Sequence, residues 1–406
     1  MFSDKKLSSR NGMLAVGVFA MLFSGILYAW SILKVPFKAE YGFSDSSLAF
    51  NFTLTMCFFC IGAFLGSRLF KLIGTKLTII LSGVLVGAGF FCTGLLANTV
   101  ALLYVFYAVL AGLGIGIAYN VVISTVSAWF PDKKGFCSGM LMMAFGASTL
   151  ILGKVVEALF AMEAIGWQKT FMIFGAVLAL VLILSGLVLK RPSAELELPA
   201  PKAGKKAGKE SFEAKDYTTA EMVKRFTFWR AFICLVFLTA VGNSVISFAR
   251  DLVISVGAEA SFATTLVGVL SICNGLGRIF TGALFDAAGR RITMLAANII
   301  TIFAAGVTLI AVSIGSLPLC IAGLCLTGLS YGSCPTVCSA FTAAFYGTKY
   351  FPSNFSVTNF NLLGASFIAT LSSNLLLSTG SYTAPFAMLL GLSVAALALN
   401  LSVRKP

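Results

Sequence analysis

The sequence predicts an all-α membrane protein whose twelve transmembrane helices fall into two six-helix halves. Three observations carry that expectation. Hydrophobic residues make up 58% of the 406 positions and charged residues only 11%, where soluble domains carry about 25% charge. The apolar residues gather in runs of about 20, the length at which a helix rising ~1.5 Å per residue crosses a ~30 Å hydrocarbon layer. One long polar interval, residues 190–227, follows the sixth run and precedes six more.

In order, the runs cover approximately residues 13–33, 47–70, 78–97, 100–128, 137–161 and 170–189, then 228–254, 262–286, 292–313, 317–342, 352–377 and 382–403. The fourth, seventh and tenth are long enough to tilt or to end outside the core. Residues 1–12 form a polar tail. No small-residue cleavage site follows the first apolar run, so a retained helix is expected rather than a signal peptide. Residues 190–227, rich in Lys, Pro, Ala and Glu, read as a solvated linker, flexible in its first half. Its second half, Thr218 to Phe228, carries Phe and Met among charges and reads as an interfacial helix. The expected division is therefore a tail (1–12), a first bundle (13–189), the linker (190–227) and a second bundle with a short tail (228–406).

The net charge of +14 is scattered in short segments between apolar runs, which speaks for membrane topology and against nucleic acid. Let the termini and the even-to-odd connections share one side. That side then holds every Lys and Arg except Lys34, Lys38, Lys154, Lys169, Arg250 and Arg278. Both termini and the linker are accordingly expected in the cytoplasm, with the chain multi-pass in the plasma (inner) membrane. The ten Cys lie mostly inside apolar runs and behave as small buried hydrophobes. Cys57–Cys60 and Cys334–Cys338 lack a second ligand pair, so neither a metal nor a cofactor is expected. There is no His, the commonest catalytic base and proton relay. An enzyme would need His, a metal cluster or paired acids at membrane depth; a receptor would need more than short outer loops.

The stretch Thr264 to Arg291 holds the one full charge deep in an apolar run, Arg278. It lies eight residues before Asp286, hence ~12 Å inside the aqueous end marked by Asp286, Arg290 and Arg291. A guanidinium there costs several kcal/mol unless it faces a wet cavity or a partner, and it stays charged at any biological pH. Asn274 stands one turn earlier on the same face, with Ser271 and Gly282 extending the stripe. Two readings follow: an anion site, or a structural Arg paired to a neighbouring carbonyl or acid. A carboxylate suits the planar fork of Arg, which makes two parallel hydrogen bonds to it. Tyr119 taken alone reads more readily as packing or an interfacial anchor than as a ligand contact. Tyr331, flanked by Gly328, Gly332 and Pro335, sits in a helix expected to bend and free its carbonyls toward a cavity. Lys154 is expected to snorkel with Glu157 as companion, and Arg250 and Asp251 to lie at the outer interface. No Asp or Glu falls near the middle of a span, so a dedicated proton-carrying acid is not expected.

Internal repetition supports two halves. GSRLFKLIGTK (66–76) follows span 2 and GALFDAAGRR (282–291) follows span 8. The second matches the loop signature of the major facilitator superfamily, Gly-x-x-x-Asp-x-x-Gly-Arg-Arg, at Asp286, Gly289, Arg290 and Arg291; the first has Lys71 where the Asp belongs. Glycines cluster in AGLGIGIAYN (111–120), permitting close helix approach. WFPDKKGFCSG (129–139), with Asp132, Lys133 and Lys134 between spans 4 and 5, resembles the oxalate/formate antiporter family, relatives of the monocarboxylate transporters. GILYAW (25–30), GIAYN (116–120), NGLGRIFTGALFDAAGR (274–290), YGTKYFPSNF (346–355) and EMVKRFTFW (221–229) resemble it as well.

The resemblance covers about residues 13 to 403. It implies the major facilitator superfamily fold, with Arg278 holding a substrate carboxylate and Asn274 one turn away. Tyr119 and Tyr331 would wall the central cavity, and Leu27 and Tyr28 would close the first-half side. The Asp286 motif would lock helices at the cytoplasmic face; with Lys71 in the first-half copy, that lock is in question there. Oxalate-exchanging members carry a Lys at the place of Leu362, where this chain has only Asn359 and Asn361 nearby, and a Trp where Thr327 stands. Many animal monocarboxylate carriers have an acid at the position of Asn274. The expectation is a secondary transporter of a small monocarboxylate, by anion exchange or proton symport, acting as a monomer in the lipid bilayer; the alternative is an oxalate-type dicarboxylate exchanger.

Overall fold

A computed structural model describes residues 2–131, 134–193, 216–347 and 349–403, with the backbone alone for 2–9, 134–136 and 286. The described chain is all α-helical apart from short turns. Eleven apolar segments are long enough to span a bilayer. One of them, Asp45–Leu96, runs 52 residues, about 78 Å if straight and far beyond one span. It breaks at Gly74 (φ 76°, ψ 174°), a backbone conformation that side chains with a Cβ resist. Counting both pieces, twelve spans result. They are α1 (Arg10–Tyr41), α2 and α3 (45–73 and 75–96), α4 (Val100–Ser127), α5 (Cys137–Ala161) and α6 (Gly166–Val188). After the linker come α7 (Phe226–Ser255), α8 (Ala260–Phe285), α9 (Ala287–Ile314), α10 (Leu317–Tyr346), α11 (Phe351–Thr379) and α12 (Thr383–Ser402).

The repeat read from the sequence has a backbone counterpart. Gly289, between α8 and α9, takes φ 74° and ψ −178°, nearly the angles of Gly74. Placing Gly74 on Gly289 sets Lys71 on Asp286. The helix–helix contacts repeat too. A Cβ on Gly116 of α4 would meet the Phe59 carbonyl of α2 at 2.0 Å, and one on Gly332 of α10 would meet the Asn274 carbonyl of α8 at 2.0 Å. Glycine is what lets these backbones touch in each half.

Several details depart from the expected boundaries. The first helix begins at Phe2, before the apolar run, because nothing in residues 2–12 breaks a helix. It tightens into a 3₁₀ turn at Gly25–Ala29. α4 contains a π-helical stretch, Tyr104–Ala111, and α7 is interrupted at Phe248 (φ −131°, ψ 17°). α10 keeps its helix through Pro335. α11 is broken at Asn359–Phe360 between two helical pieces. Residues 194–215 of the linker, where its flexible half was expected, lie outside the described residues. Its end forms a short helix, Thr219–Val223, opened by a capping box of Thr218 and Glu221. Protein rather than a bilayer surface covers much of its apolar side: Met222 is 0% exposed, and Tyr217 and Phe228 pack with Phe341, Tyr346 and Val403. Phe226 alone among these aromatics is largely exposed.

Candidate functional site

Arg278 is 1% exposed, on α8 where it crosses α5. Its Nε donates to Asn274 Oδ1 at 3.2 Å, the one-turn partnership expected from the sequence. One terminal nitrogen donates to the Met142 carbonyl of α5. Among the described residues no carboxylate forms an ion pair with it. Gly146 of α5 makes room for this pair: a Cβ there would lie 3.4 Å from Asn274 Nδ2 and 3.6 Å from Arg278 Cζ. The guanidinium, by its chemistry a permanent cation, is thus held by one carbonyl and one amide oxygen. In low-dielectric surroundings such a charge is a strong attractor for an anion.

The tyrosines join the halves. Tyr331 Oη donates to Asn243 Oδ1 at 2.8 Å, so its single hydroxyl hydrogen is used. In the 3.1 Å contact between Tyr28 Oη and Tyr331 Oη, Tyr28 is then the donor. Asn243 Nδ2 donates to Ser366 Oγ at 3.0 Å, and Ser366 donates to the Leu362 carbonyl at 2.7 Å. This relay ties α1, α10, α7 and α11 together. Tyr119 packs edge-on against Phe59 and Phe145, at 5.1 and 5.2 Å between ring centroids, and Phe145 meets Tyr28 at 5.2 Å. Leu27 is buried in the 3₁₀ turn. Asn361 is engaged by Thr239 and by the Thr358 carbonyl. The buried Asn359 Nδ2 and Thr327 Oγ1 have no hydrogen-bond partner in the described structure. Leu362 is buried and offers no charge.

Two cavities flank this layer. The larger, about 620 Å³, opens between α4 and α10 on the side of the linker; Thr336, Gly282, Ser124, Lys71, Arg191 and Lys349 are among its walls. Thr336 Oγ1 reaches the Arg278 carbonyl at 3.4 Å, so the cavity ends at the helix turn bearing the guanidinium. None of the substrate-contact residues expected from the sequence lines it. The smaller cavity, about 270 Å³, lies at the opposite end, walled by Trp30, Lys34, Lys38, Asp45 and Asp251. Lys34 Nζ pairs with Asp251 at 2.9 Å across α1 and α7 and donates to the Ser247 carbonyl at 3.4 Å, beside the α7 interruption. Lys38 pairs with Asp45 at 2.8 Å. Tyr28 precedes Lys34 by about 9 Å and Tyr331 precedes Thr336 by about 7.5 Å along their helices, so the tyrosine relay separates the two cavities.

Of the other expected positions, Lys154 meets Glu157 at 3.5 Å, and Glu157 also accepts from Thr264 at 2.9 Å. Gly289 makes the α8–α9 break. Arg290 lies over Phe345 at 4.9 Å and Arg291 is exposed. Asp132, Lys133 and the side chains of Lys134 and Asp286 lie outside the described residues. No metal-binding cluster occurs among the described residues. Two residues and one pairing escaped the sequence reading. Met142 acts through its carbonyl, which no side-chain pattern signals. Asn243, an amide in the apolar span 7, was a readable signal. Lys34 and Asp251 needed the packing of α1 on α7 to be paired.

Twelve spans in two repeated sets of six, meeting around buried polar groups, have the architecture of a membrane carrier. The model of the Major Facilitator Superfamily matches residues 13–254, and the chain belongs to that superfamily, as an integral multi-pass membrane protein. It is 28% identical over 340 residues to YhjX, an MFS-type transporter of Escherichia coli (strain K12), covering 82% of this chain and 80% of that protein. It is 30% identical over 288 residues to the oxalate:formate antiporter of Oxalobacter formigenes, covering 69% of this chain and 64% of the antiporter. Over 141 residues it is 28% identical to monocarboxylate transporter 6 of Mus musculus, covering 35% and 29%. The resemblance to oxalate/formate antiporters and monocarboxylate transporters is therefore shared by whole stretches of chain as well as by motifs.

Proposed function

We propose that this protein is a secondary transporter of small monocarboxylates of the lactate, pyruvate or formate type, working by alternating access. The observation that carries the reading is Arg278: a buried permanent cation with no carboxylate paired to it among the described residues, on a helix turn whose backbone the linker-side cavity reaches through Thr336. The carboxylate would take the guanidinium donors not spent on Met142 and Asn274, and the tyrosine layer would bar passage to the opposite side. The two halves, 13–189 and 228–406, would rock around this layer, with both termini and the 190–227 linker in the cytoplasm and the protein in the plasma (inner) membrane as a monomer. With no acid at mid-span, the cycle either exchanges one anion for another or carries the proton on the substrate.

A second reading, exchange of a dicarboxylate of the oxalate type, draws on the relative from Oxalobacter formigenes. Leu362 weighs against it, because one buried cation leaves the second charge of a dianion uncompensated. The test is uptake by purified protein in liposomes of labelled formate, lactate, pyruvate and oxalate, with and without a pH gradient. Saturable uptake of a monocarboxylate, weakly inhibited by oxalate, is expected. No uptake of any carboxylate by folded protein would overturn the reading, and equal competition by oxalate would favour the second.

A further inference from the structure

The mouth of the larger cavity carries a charge pattern that the Arg278 site does not use. Lys71, Arg191 and Lys349 reach it from three separate segments: the α2–α3 connection, the start of the linker and the α10–α11 connection. Each meets neutral groups. Lys71 Nζ is 3.5 Å from Ser353 Oγ, Arg191 stacks on Phe70 at 4.3 Å, and Lys349 Nζ lies 5.5 Å from the Tyr350 ring. Asp216, which accepts the Lys349 backbone N–H at 3.1 Å, is not among the walls. Every described wall residue is cationic or neutral, and Ser124, Ser127, Ser138 and Ser339 add hydroxyl groups. Lys71 is the more telling because it occupies the repeat position at which the second half has Asp286. Where the second half's sequence has an acid, the first half's has a base.

Positive charge concentrated in a concave space with low-dielectric walls focuses its field and gathers anions. Charge assistance strengthens each hydrogen bond made to an oxyanion there. The volume, about 620 Å³, exceeds what a two- or three-carbon acid needs. Three cations favour an ion bearing two or three charges over one bearing a single charge. The walls face each other between α4 and α10 rather than outward to lipid, so the occupant is soluble. The geometry points to a second anion site at the linker-side mouth, formed by Lys71, Arg191 and Lys349, that binds a small multivalent oxyanion such as a di- or tricarboxylate or inorganic phosphate. This site stands independently of whether Arg278 binds the transported substrate.

The test is thermal unfolding of the purified full-length protein titrated with citrate, and separately with inorganic phosphate, at ionic strength matched by chloride. Three proteins are compared: the unmodified chain, Lys71→Ser/Arg191→Gln/Lys349→Ser, and Arg278→Gln. Saturable stabilisation by citrate or phosphate is expected in the unmodified chain and in Arg278→Gln. Each mouth cation removed should weaken it roughly fivefold, the effect of one charge pair at ~4 Å in water, and three together about a hundredfold. The single variants provide a graded series should the triple variant unfold early. Stabilisation by chloride equal to that by citrate, unchanged citrate binding in the triple variant, or its loss in Arg278→Gln would each overturn the proposal. Failure of the Arg278 reading shows separately, as formate binding that survives Arg278→Gln.

Discussion

The two ends of the molecule handle charge in opposite ways. Away from the linker, every described lysine at the smaller cavity meets a carboxylate: Lys34 meets Asp251 and Lys38 meets Asp45. At the linker end, the cations of the larger cavity meet hydroxyl groups and rings. A paired end resists opening, because separating α1 from α7 strands both partners of Lys34–Asp251 until water reaches them. The linker-side cavity has no such pair among its described walls. On the proposed alternating-access cycle this arrangement corresponds to the form opened toward the linker, with the far end held across the halves by one ion pair, Lys34–Asp251.

The sharpest way to break the comparison is to disturb the cation between the two ends. Arg278→Lys keeps the charge but loses the fork, and with it the tie from α8 to the Met142 carbonyl of α5. A hydrogen bond to a charged group is worth about 1.5–3 kcal/mol, so transport should fall by roughly tenfold or more. Initial uptake rates, measured on variants shown folded by gel filtration, check this; wild-type rates would remove Arg278 from the site. The next effect concerns cargo charge. Leu362→Lys adds a second cation beside the relay that ends on the Leu362 carbonyl. A unit charge at ~4 Å is worth about 4 kcal/mol at an effective dielectric of 20. Even a third of that shifts the preference for monocarboxylate over oxalate by about tenfold. Competition of unlabelled oxalate against labelled formate reads the shift, and an unmoved preference would mean that Leu362 faces away from the anion.

How far these features were legible in the sequence depended on what kind of atom makes them. Span positions and the repeat were written in run lengths and glycines, because hydrocarbon thickness and backbone clash constrain them directly. The glycines of 111–120 signalled a close helix approach but not its partner, and Gly332 was read as marking a bend rather than the contact of α10 with α8. Asn274 beside Arg278 was readable because one helical turn fixes both. The Met142 carbonyl was not, since any residue supplies one. Nor was the pairing of Lys34 with Asp251: the sequence put charges near the outer interface, but only the packing of α1 on α7 selects the partner. The interruption at Phe248 carries no glycine or proline, and no local pattern announces it. The end of the linker was read as lipid-facing because its Met and Phe alternate with charges. Its cover, Phe341 and Tyr346, comes from more than a hundred residues away.

A smaller effect is expected where the closed end is held by charge. Lys34 is 13% exposed and Asp251 47%, so solvent screens the pair and it is worth about 1 kcal/mol. Lys34→Glu should therefore shift the balance between the two openings by about fivefold, toward the form open away from the linker. The exchange Lys34→Glu/Asp251→Lys should restore it. With a cysteine placed at Ser124 in a cysteine-free background, labelling from the linker side by an impermeant thiol reagent should slow in the single variant and recover in the double. Equal labelling in all three would show that the pair does not hold the closed end.

The smallest expected effect tests whether the open end owes its shape to the linker's middle. Its two ends are fixed independently. Just before Arg191, the Lys190 carbonyl accepts from Trp129 Nε1 at 2.7 Å. From Asp216 onward, Tyr217 N donates to the Tyr346 carbonyl at 3.0 Å, Asn354 Nδ2 donates to the Tyr217 carbonyl at 2.9 Å, and Met222 and Phe228 are buried. Residues 201–209, PKAGKKAGK, have the composition of a solvated spacer, and shortening a connection slightly changes its closure entropy by only a few tenths of a kcal/mol. Deletion of Pro201 to Lys209 should therefore leave transport within about twofold of the unmodified protein. Loss of uptake with normal amounts of folded protein in the membrane would mean that the spacer itself takes part in closing the mouth. Asp216→Ala, which removes the acceptor for the Lys349 backbone N–H, should then have the larger effect of the two if the anchored end alone shapes it.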